Sequence, residues 1–374
     1  MTFNFPTEYA RILDRMHRVD PINYAATRNY LNGAVTFLSP YLSRGVISTR
    51  QIFDSLVERG FSFEQGETLI RELAWRDYFQ RTWQVKKDLD APIRQPQHGV
   101  ERYGLPAALD KANTSVPSLD QAIEELTSFG YMHNHCRMYT ASVTCNIAHY
   151  DWLLPARWMY YHLLDADWAS NACSWQWVAG ANSTKKYFCN QENINRYTGR
   201  QDQTFLSCSY DELTNLSVPE NWSVPVTANL VSSIPSYQAP QLDPDLPICI
   251  YNFYNLDPLW RTDQPYNRVL LLEPDHFFRF PVHQRSIDFM LELTENIPDL
   301  MVFTGNWIDF KKEISNQKVY FKEHPLFGHY EGVADQRSWL VPEIEGYYNS
   351  FSGYWKKIEH PLKKHFTKQT SLAL

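Results

Sequence analysis

A proline-rich stretch near the middle of the chain most constrains how this 374-residue sequence can fold. Between residues 215 and 247, six prolines stand among Ser, Val and Asn, and apolar residues follow neither a helical nor a strand period. Because proline lacks a backbone N–H and fixes its own φ angle, the stretch favours a linker or an extended segment. It divides the chain into residues 1–214, the linker 215–247 and residues 248–374.

The two flanks of this linker have different apolar patterns. Residues 1–214 repeat apolar side chains at helical spacing and predict a helical domain. Residues 248–374 hold four short apolar runs that begin near 248, 269, 300 and 318, and an amphipathic helix is predicted at about 282–295. The predicted fold class is therefore mainly α: a helical domain followed by a small α/β domain with a parallel sheet and a C-terminal helix.

Two serines are predicted to begin helices. Ser48, or its neighbour Thr49, precedes an apolar stripe that Gly60 ends. Ser118 and Gln121 have the spacing of a capping box, in which each residue bonds the backbone of the other. Both positions are therefore interpreted as helix N-caps.

Several classes of protein are disfavoured by composition. No apolar stretch approaches the roughly 18 residues of a membrane span, and the N-terminus lacks the pattern of a secretory signal. The six cysteines form no C-x-x-C pair, so we expect reduced thiols, no metal site and a cytoplasmic location.

The charge distribution gives no broad positive field for nucleic-acid binding, whereas the aromatic content suits a flat ligand. Residues 1–200 carry 21 basic and 20 acidic side chains, whereas residues 201–374 carry 14 and 22. A nucleic-acid site in the first part would therefore need a local basic patch. The chain also has 12 Trp and 23 Tyr, which suit stacking on a flat ligand as well as core packing.

The densest polar and aromatic segment runs from residue 162 to 182. Asp165 and Asp167 precede Asn171, and Trp175 and Trp177 follow. Helix capping and core packing would explain one or two of these residues. Buried carboxylates are costly without a partner, so a polar, flat ligand is the better explanation for the whole set.

This segment resembles the flavin-binding core of the DNA photolyase/cryptochrome family, close to the pattern D-G-D-x-A-S-N-x-x-x-W-Q-W, with Ala166 in place of Gly. Three other stretches match in the family's order: Tyr24–Arg28 with Phe37–Leu42, Glu72–Tyr78, and Met132–Met138. Val35 and Tyr131 stand where the family usually has Thr and Trp. Together the four blocks cover about residues 20–197.

The resemblance implies FAD as cofactor and assigns its contacts. The diphosphate would be held by Thr36, Leu38 and Ser39, helped by Tyr24 and Arg28. Asp165 and Asp167 would bind the ribose or the flavin edge, with Arg137 paired to Asp165, and Asn171 would face the reactive flavin nitrogen. Asn134 is also expected at the cofactor. An Asn at position 171 favours a photolyase over a signalling receptor.

The same resemblance implies a substrate pocket for cyclobutane pyrimidine dimers in DNA. Its expected members are Glu72, Trp75, Met138 and Trp177, in which the indoles stack on a flipped dimer and the carboxyl group bonds a thymine carbonyl. The 6-4 photoproduct is disfavoured because Asn134 and Met138 stand where two His would be needed. The expected enzyme is thus a deoxyribodipyrimidine photo-lyase, a carbon–carbon lyase.

Flavin photoreduction in the family uses three Trp. Trp175 and Trp152 match the first two. The expected interval for the third holds no Trp, so Tyr103, Tyr131, Tyr150, Trp158 or Trp168 are the candidates.

The usual N-terminal antenna domain has no counterpart before the flavin blocks, so no antenna chromophore is expected at its customary place. The C-terminal α/β domain is interpreted as a cover or as a module for a protein partner. Two alternatives stay open: a photolyase-derived flavin photoreceptor or redox sensor without repair activity, and a noncatalytic structural or adaptor protein.

Overall fold

The structure, a computed structural model, describes residues 3–370, with side chains as far as residue 366. Its α-helices in chain order are α1 (Tyr9–His17), α2 (Pro21–Thr27), α3 (Ser39–Ser43), α4 (Thr49–Glu58), α5 (Phe63–Lys86), α6 (Ala107–Asp110), α7 (Pro117–Phe129), α8 (Asn134–Ser142), α9 (Leu153–His162), α10 (Trp168–Val178), α11 (Gln191–Thr198), α12 (Glu220–Ser223), α13 (Pro274–Arg279), α14 (Gln284–Thr294), α15 (Trp307–Phe310) and α16 (Phe351–Thr370). A π-helical turn, Val143–Ile147, continues α8.

Seven strands form two sheets. They are β1 (Leu105–Pro106), β2 (Pro225–Val226), β3 (Ile248–Tyr251), β4 (Asn267–Leu272), β5 (Leu300–Thr304), β6 (Val319–Lys322) and β7 (Val333–Asp335). Strands β1 and β2 form an antiparallel pair. The other five form a parallel sheet in the order β5–β4–β3–β6–β7. The four apolar runs are thus confirmed as parallel strands, and α14 confirms the helix predicted between the second and the third.

The described residues form two compact units, and each is assembled from separate segments of the chain. The helical unit is built mainly from Asn23–Val35 and Asp88–Leu230. The sheet unit is built from Asn4–Ile22, Thr36–Lys87 and the chain from Val231 onwards. The predicted domains 1–214, 215–247 and 248–374 instead follow the chain continuously, and those ranges stay a prediction.

In the helical unit, α10 packs against α8 and α9. All but three residues of α10 are buried, which explains why the helix shows no clear division into apolar and polar faces. The chain between α9 and α10 turns at Asp165, and α9 ends before it, at His162.

In the sheet unit, α5 packs against α4 and α16. The buried strands β3 and β4 carry almost continuous apolar side chains, as expected of a parallel sheet covered on both faces. None of the helices in the described range is long and apolar enough to cross a membrane.

The two helix starts proposed from sequence have different outcomes. Ser48 is confirmed as the N-cap of α4, where it exchanges hydrogen bonds with Gln51 in a capping box. The capping box at Ser118 is wrong, because α7 begins at Pro117 and its N-cap is Val116. Proline is well suited to the first helical turn, where no backbone N–H is needed, and this moves Ser118 inside the helix.

Candidate functional site

The turn into α10 places two of the predicted cofactor residues. Asp167 is the N-cap of α10, and its Oδ1 accepts a 2.8 Å hydrogen bond from the backbone N–H of Ser170. Both Asp165 and Asp167 are buried, at 9% and 4% exposure. One carboxylate oxygen of Asp167 is thus engaged in starting the helix that carries the rest of the motif.

The predicted ion pair between Arg137 and Asp165 is formed. Arg137 Nη2 lies 3.0 Å from Asp165 Oδ2 and 3.2 Å from Oδ1. Arg137 Nε also donates to the carbonyl oxygen of Met132 at 2.9 Å, which fixes the guanidinium at the start of α8. The pair joins α8 to the turn before α10, and it compensates the burial of the Asp165 charge.

Asn171 lies one turn into α10 and is 7% exposed. Its Nδ2 donates a 2.7 Å hydrogen bond to the carbonyl oxygen of Ala156 in α9, which fixes the orientation of the amide. Within the described chain, Oδ1 of Asn171 has no hydrogen-bond donor. The side chain is therefore a fixed acceptor, able to receive a bond from an N–H of a ligand.

Three indoles of the helical unit bear on the predicted electron path. Trp175 is 2% exposed, and its buried Nε1 has no partner among the described residues. Trp152 stacks on Trp168, with ring centroids 6.3 Å apart and planes inclined by 23°. Of the candidates for a third member, Trp168 is thus the one in ring contact with Trp152, and its role in electron transfer stays a prediction.

The predicted substrate residues of the helical unit are more exposed. Trp177 has 38% of its surface exposed and lies 5.8 Å from the ring of Tyr187. Met138 is half-buried on α8, and its sulfur accepts a 3.8 Å contact from the amide of Asn134, which is exposed. Trp177 therefore presents an aromatic surface to solvent that could stack on a base.

A pair of histidines holds the segment that carries Tyr24 and Arg28. His133 Nε2 bonds the carbonyl oxygen of Arg28 at 3.1 Å, and its Nδ1 accepts from the N–H of His135. Burial lowers the pKa of both imidazoles to about 4, so both are neutral at neutral pH. The Arg28 guanidinium in turn lies 5.9 Å from the Tyr24 ring. The sequence comparison gave His133 no role, although it stands in the matched block.

Gln176 is a second residue that supports the site and that the sequence motifs did not mark. It lies between Trp175 and Trp177 and is completely buried. Its amide donates to the carbonyl oxygens of Leu89 and Ala91 and accepts from the N–H of Ile93. Its place between two Trp could have indicated this role, because a buried amide needs several hydrogen-bond partners. It ties residues 89–93 to α10 and so fixes the helix that carries both indoles.

The predicted phosphate-binding residues Thr36, Leu38 and Ser39 belong to the sheet unit. Phe37, between them, has a left-handed φ of +53°, and Leu38 follows with φ −96° and ψ −10°. A left-handed residue followed by a right-handed one turns successive N–H groups toward one point, which favours an anion. The Arg15 guanidinium lies beside this turn, 3.5 Å from the carbonyl oxygen of Phe37, and no sequence pattern marked it.

Glu72 and Trp75 also belong to the sheet unit, on α5. The Trp75 indole stacks on Phe351 of α16, with centroids 3.8 Å apart and planes inclined by 9°. One face of the indole is thus covered, so only its opposite face could stack on a base. Glu72 is partly buried. Of the predicted substrate residues, Met138 and Trp177 thus belong to the helical unit, and Glu72 and Trp75 to the sheet unit.

Each unit, considered separately, has residues that fit a flavin dinucleotide. In the helical unit, the oriented Asn171 amide leaves an acceptor, and the buried Trp175 Nε1 leaves a donor. In the sheet unit, the turn at Phe37 places its carbonyl oxygen 3.5 Å from the Arg15 guanidinium, a cation suited to a diphosphate, while the N–H of Leu38 bonds Thr36 Oγ1. Buried polar atoms without a protein partner are the signature expected where a polar ligand completes the bonding.

Comparisons with known proteins identify the region. Residues 69–209 match the family model described as the FAD binding domain of DNA photolyase. A deoxyribodipyrimidine photo-lyase of Streptomyces griseus is 34% identical over 151 residues, which are 39% of this chain and 32% of that protein. A cryptochrome DASH of Natronomonas pharaonis is 31% identical over 208 residues, which are 52% of this chain and 43% of that protein.

The chain spans about a third of the length of the photo-lyases it matches. Among solved structures, a Synechocystis cryptochrome is similar with a TM-score of 0.47 and 25% identity, covering 52% of this chain and 44% of that one. Through residues 69–209, this chain is therefore similar to the FAD binding domain of the DNA photolyase family.

Proposed function

We propose that this protein is a DNA photolyase that repairs cyclobutane pyrimidine dimers in a light-driven reaction. The observation that carries the proposal is the orientation of Asn171, whose Nδ2 is bonded to Ala156 and whose Oδ1 is left as an acceptor within the matched FAD domain. The photo-lyase relatives support the same reaction class. When bound and reduced, FAD would supply the light-absorbing group and the electron that is transferred to the dimer.

The residues of the chain would bind and hold the substrate. Trp177, exposed on α10, would stack on one base of a flipped dimer, and the free face of Trp75 would stack on the other. Glu72 would donate a hydrogen bond from a protonated carboxyl group to a thymine carbonyl, where negative charge develops as the ring splits. The electron returns at the end, so the reaction has no net redox change.

The surface beside Trp177 carries cations suited to a nucleic-acid backbone. Lys185 and Lys186 follow α10. The Lys186 ammonium lies next to the Gly99 backbone, 3.4 Å from the position that a side-chain Cβ would occupy there. The N–H of Arg94 bonds the carbonyl oxygen of Ala181, so this exposed arginine is held near the same loop. Two or three phosphate contacts would make DNA binding weaken with salt.

The test is a repair assay with chemically reduced, FAD-loaded protein and an oligonucleotide that carries one thymine dimer. We expect recovery of thymine absorbance under blue light and none in darkness. Trp177→Ala should weaken dimer binding by about 10-fold to 100-fold, the effect of one lost stacking contact. Tyr210→Ala, at an exposed aromatic of the same unit, is the matched control and should leave binding unchanged. Full repair by Glu72→Ala and Trp75→Ala variants would show that the pocket assignment is wrong.

A flavin photoreceptor or redox sensor is the second candidate, favoured by the cryptochrome DASH relatives, which align over as much as 52% of this chain. It predicts light-dependent changes in flavin absorbance without any repair. No repair by a fully FAD-loaded and reduced sample would select this candidate.

A further inference from the structure

A cavity of about 780 Å³ lies in the sheet unit, away from all residues assigned to the flavin or to DNA. It is placed at the amino ends of β4 and β5, since Asn267, Arg268, Leu300 and Met301 begin those strands. The remaining lining residues are Leu246, Pro258, Thr262, Gln264, Pro265, Tyr266, Pro298 and Asp299. Half of the lining side chains are apolar and the rest are polar, a composition suited to a small organic ligand.

The chemistry of this cavity depends on Arg268. This guanidinium belongs to a residue that is only 8% exposed. Its Nη1 donates to the Tyr251 hydroxyl at 2.6 Å and to the carbonyl oxygen of Trp260 at 2.9 Å, and its Nη2 donates to the carbonyl oxygen of Arg261 at 2.5 Å. All three acceptors are neutral. Within the described residues Arg268 forms no ion pair, so its charge is buried without a counter-charge.

The nearby carboxylate of Asp335 is engaged by another arginine. Arg261 donates from Nε and Nη2 to the two oxygens of Asp335, at 2.6 and 2.8 Å. The Trp260 indole N–H donates to Asp335 as well, at 2.9 Å. This carboxylate therefore compensates the charge of Arg261, and among the described residues Arg268 has hydrogen bonds to neutral groups only. Burial of a cation without an opposite charge is unfavourable, and an anion bound in the cavity would supply that charge.

The backbone around the cavity is held in sparsely populated conformations. Arg261, whose carbonyl bonds Arg268, has a left-handed φ of +50°, and Asp299 in the cavity wall has a φ of +57°. Side chains with a Cβ adopt this region at a cost, and such strain gathers at ligand sites. The turn at Arg261 directs two successive carbonyls, Trp260 and Arg261, onto one guanidinium and so fixes its position.

We propose that this cavity binds a small anionic aromatic molecule. Its carboxylate or phosphate group would pair with Arg268, and its ring would pack on the Tyr266 ring and on Met301. Tyr266 is 7% exposed, and its hydroxyl is bonded to Gln264 at 3.0 Å, so the ring is oriented before a ligand arrives. The site is independent of the proposed repair reaction, because none of its residues belongs to the flavin or DNA assignments.

The experiment is isothermal titration calorimetry of the FAD-loaded full chain with three probes: benzoate, adenosine 5′-monophosphate and inorganic phosphate. Saturable binding of benzoate alone would assign a carboxylate ligand, and saturable binding of the monophosphate alone a phosphate ligand. Both results support the proposal. Absence of saturable binding for both aromatic probes would overturn it, and so would inorganic phosphate binding as tightly as they do.

Variants locate the binding. Thr262→Trp, at an exposed residue of the cavity mouth, should abolish it while FAD absorbance stays unchanged. Arg268→Met should weaken it by about tenfold or more, the effect of losing a charge-assisted hydrogen bond. Ile308→Trp, at an exposed position outside the cavity, is the control. Because Arg268→Met could disturb folding, the mouth variant decides: binding that survives Thr262→Trp would overturn the proposal.

Discussion

The buried acidic groups of the two units differ in how completely the protein satisfies them. In the sheet unit, Glu273 accepts from the Trp307 N–H, from His329 Nε2 and from the Tyr330 hydroxyl, all within 2.9 Å. In the helical unit, Asp165 has the Arg137 guanidinium. The Glu273 carboxylate thus has three protein donors, one of them the backbone N–H of Trp307, whereas the Asp165 carboxylate is bonded by a single guanidinium.

The comparison shows where a ligand is expected. Near α10, the Asn171 oxygen and the Trp175 indole N–H are left without a protein partner within the described residues. Buried polar atoms without a protein partner occur in the sheet unit too, Trp307 Nε1 among them. The atoms around α10 therefore favour a cofactor only together with the match of residues 69–209 to an FAD binding domain.

The largest effect is expected from Glu273→Ala in the sheet unit. The change leaves a buried hydroxyl, an imidazole and a backbone N–H without their acceptor, so the free energy of unfolding should fall by about 3 kcal/mol. Urea unfolding of the full chain measures it. The control is Glu331→Ala, since Glu331 forms an exposed pair with Lys311 and should contribute less than about 1 kcal/mol. Equal losses in the two variants would contradict the distinction between a buried, fully hydrogen-bonded carboxylate and one in an exposed ion pair.

A smaller difference is expected within α10 itself. Gln176→Ala removes three buried hydrogen bonds and should lower the free energy of unfolding by about 2 kcal/mol. Asn171→Ala removes one bond and should cost about 1 kcal/mol, but it should change the reduction potential of bound FAD. Urea unfolding and a reductive titration followed by absorbance separate the two. An unchanged potential in Asn171→Ala would argue against its place at the flavin.

The smallest effect is a pH dependence of opposite sign at two histidines, one in each unit. The pKa of His135 is lowered by burial to about 4, so the unfolded chain takes up protons first as pH falls from 6.5, and stability should fall by about 1 kcal/mol for each pH unit in that range. The pKa of His329 is raised by its bond to Glu273, so its contribution is present at low pH and is lost as pH rises through that pKa.

Two variants separate these contributions in urea unfolding at several pH values. His135→Gln should reduce the loss of stability below pH 6.5 without removing it, because buried His276 and His324 have lowered pKa values too. His329→Gln should flatten only the neutral side. A single profile shared by both variants would contradict the assignment.

Local sequence signals predicted much of the fold. The four apolar runs became parallel strands because buried parallel strands read as continuous apolar segments. The strand β7 was missed because it has three residues, of which two are exposed, and no apolar run. The capping box at Ser118 failed because a proline one residue earlier is a stronger helix start.

One contact of the candidate site was predictable from the sequence, but the distribution of its residues over two units was not. The Arg137–Asp165 pair followed from the family resemblance and is formed. Phe351, which covers one face of Trp75, lies 276 positions later in the chain, so no local pattern could connect them. Neither Arg15 nor His133 was found, because their bonds go to backbone carbonyls, which any residue provides.

The interleaved assembly of the sheet unit has a consequence for biosynthesis. The apolar residues of α5 pack within a unit that also needs the chain from Val231 onwards, including α16 and the partner of Asp77 at Leu340. At translation rates of about 5–20 residues per second, α5 waits roughly 15–60 s for those segments to be synthesised. During that interval Leu69, Ile70 and Leu73 lack the neighbours that bury them in the finished unit. This chain should therefore depend on a holding chaperone early in synthesis, and a shorter product that ends before the sheet is made should aggregate.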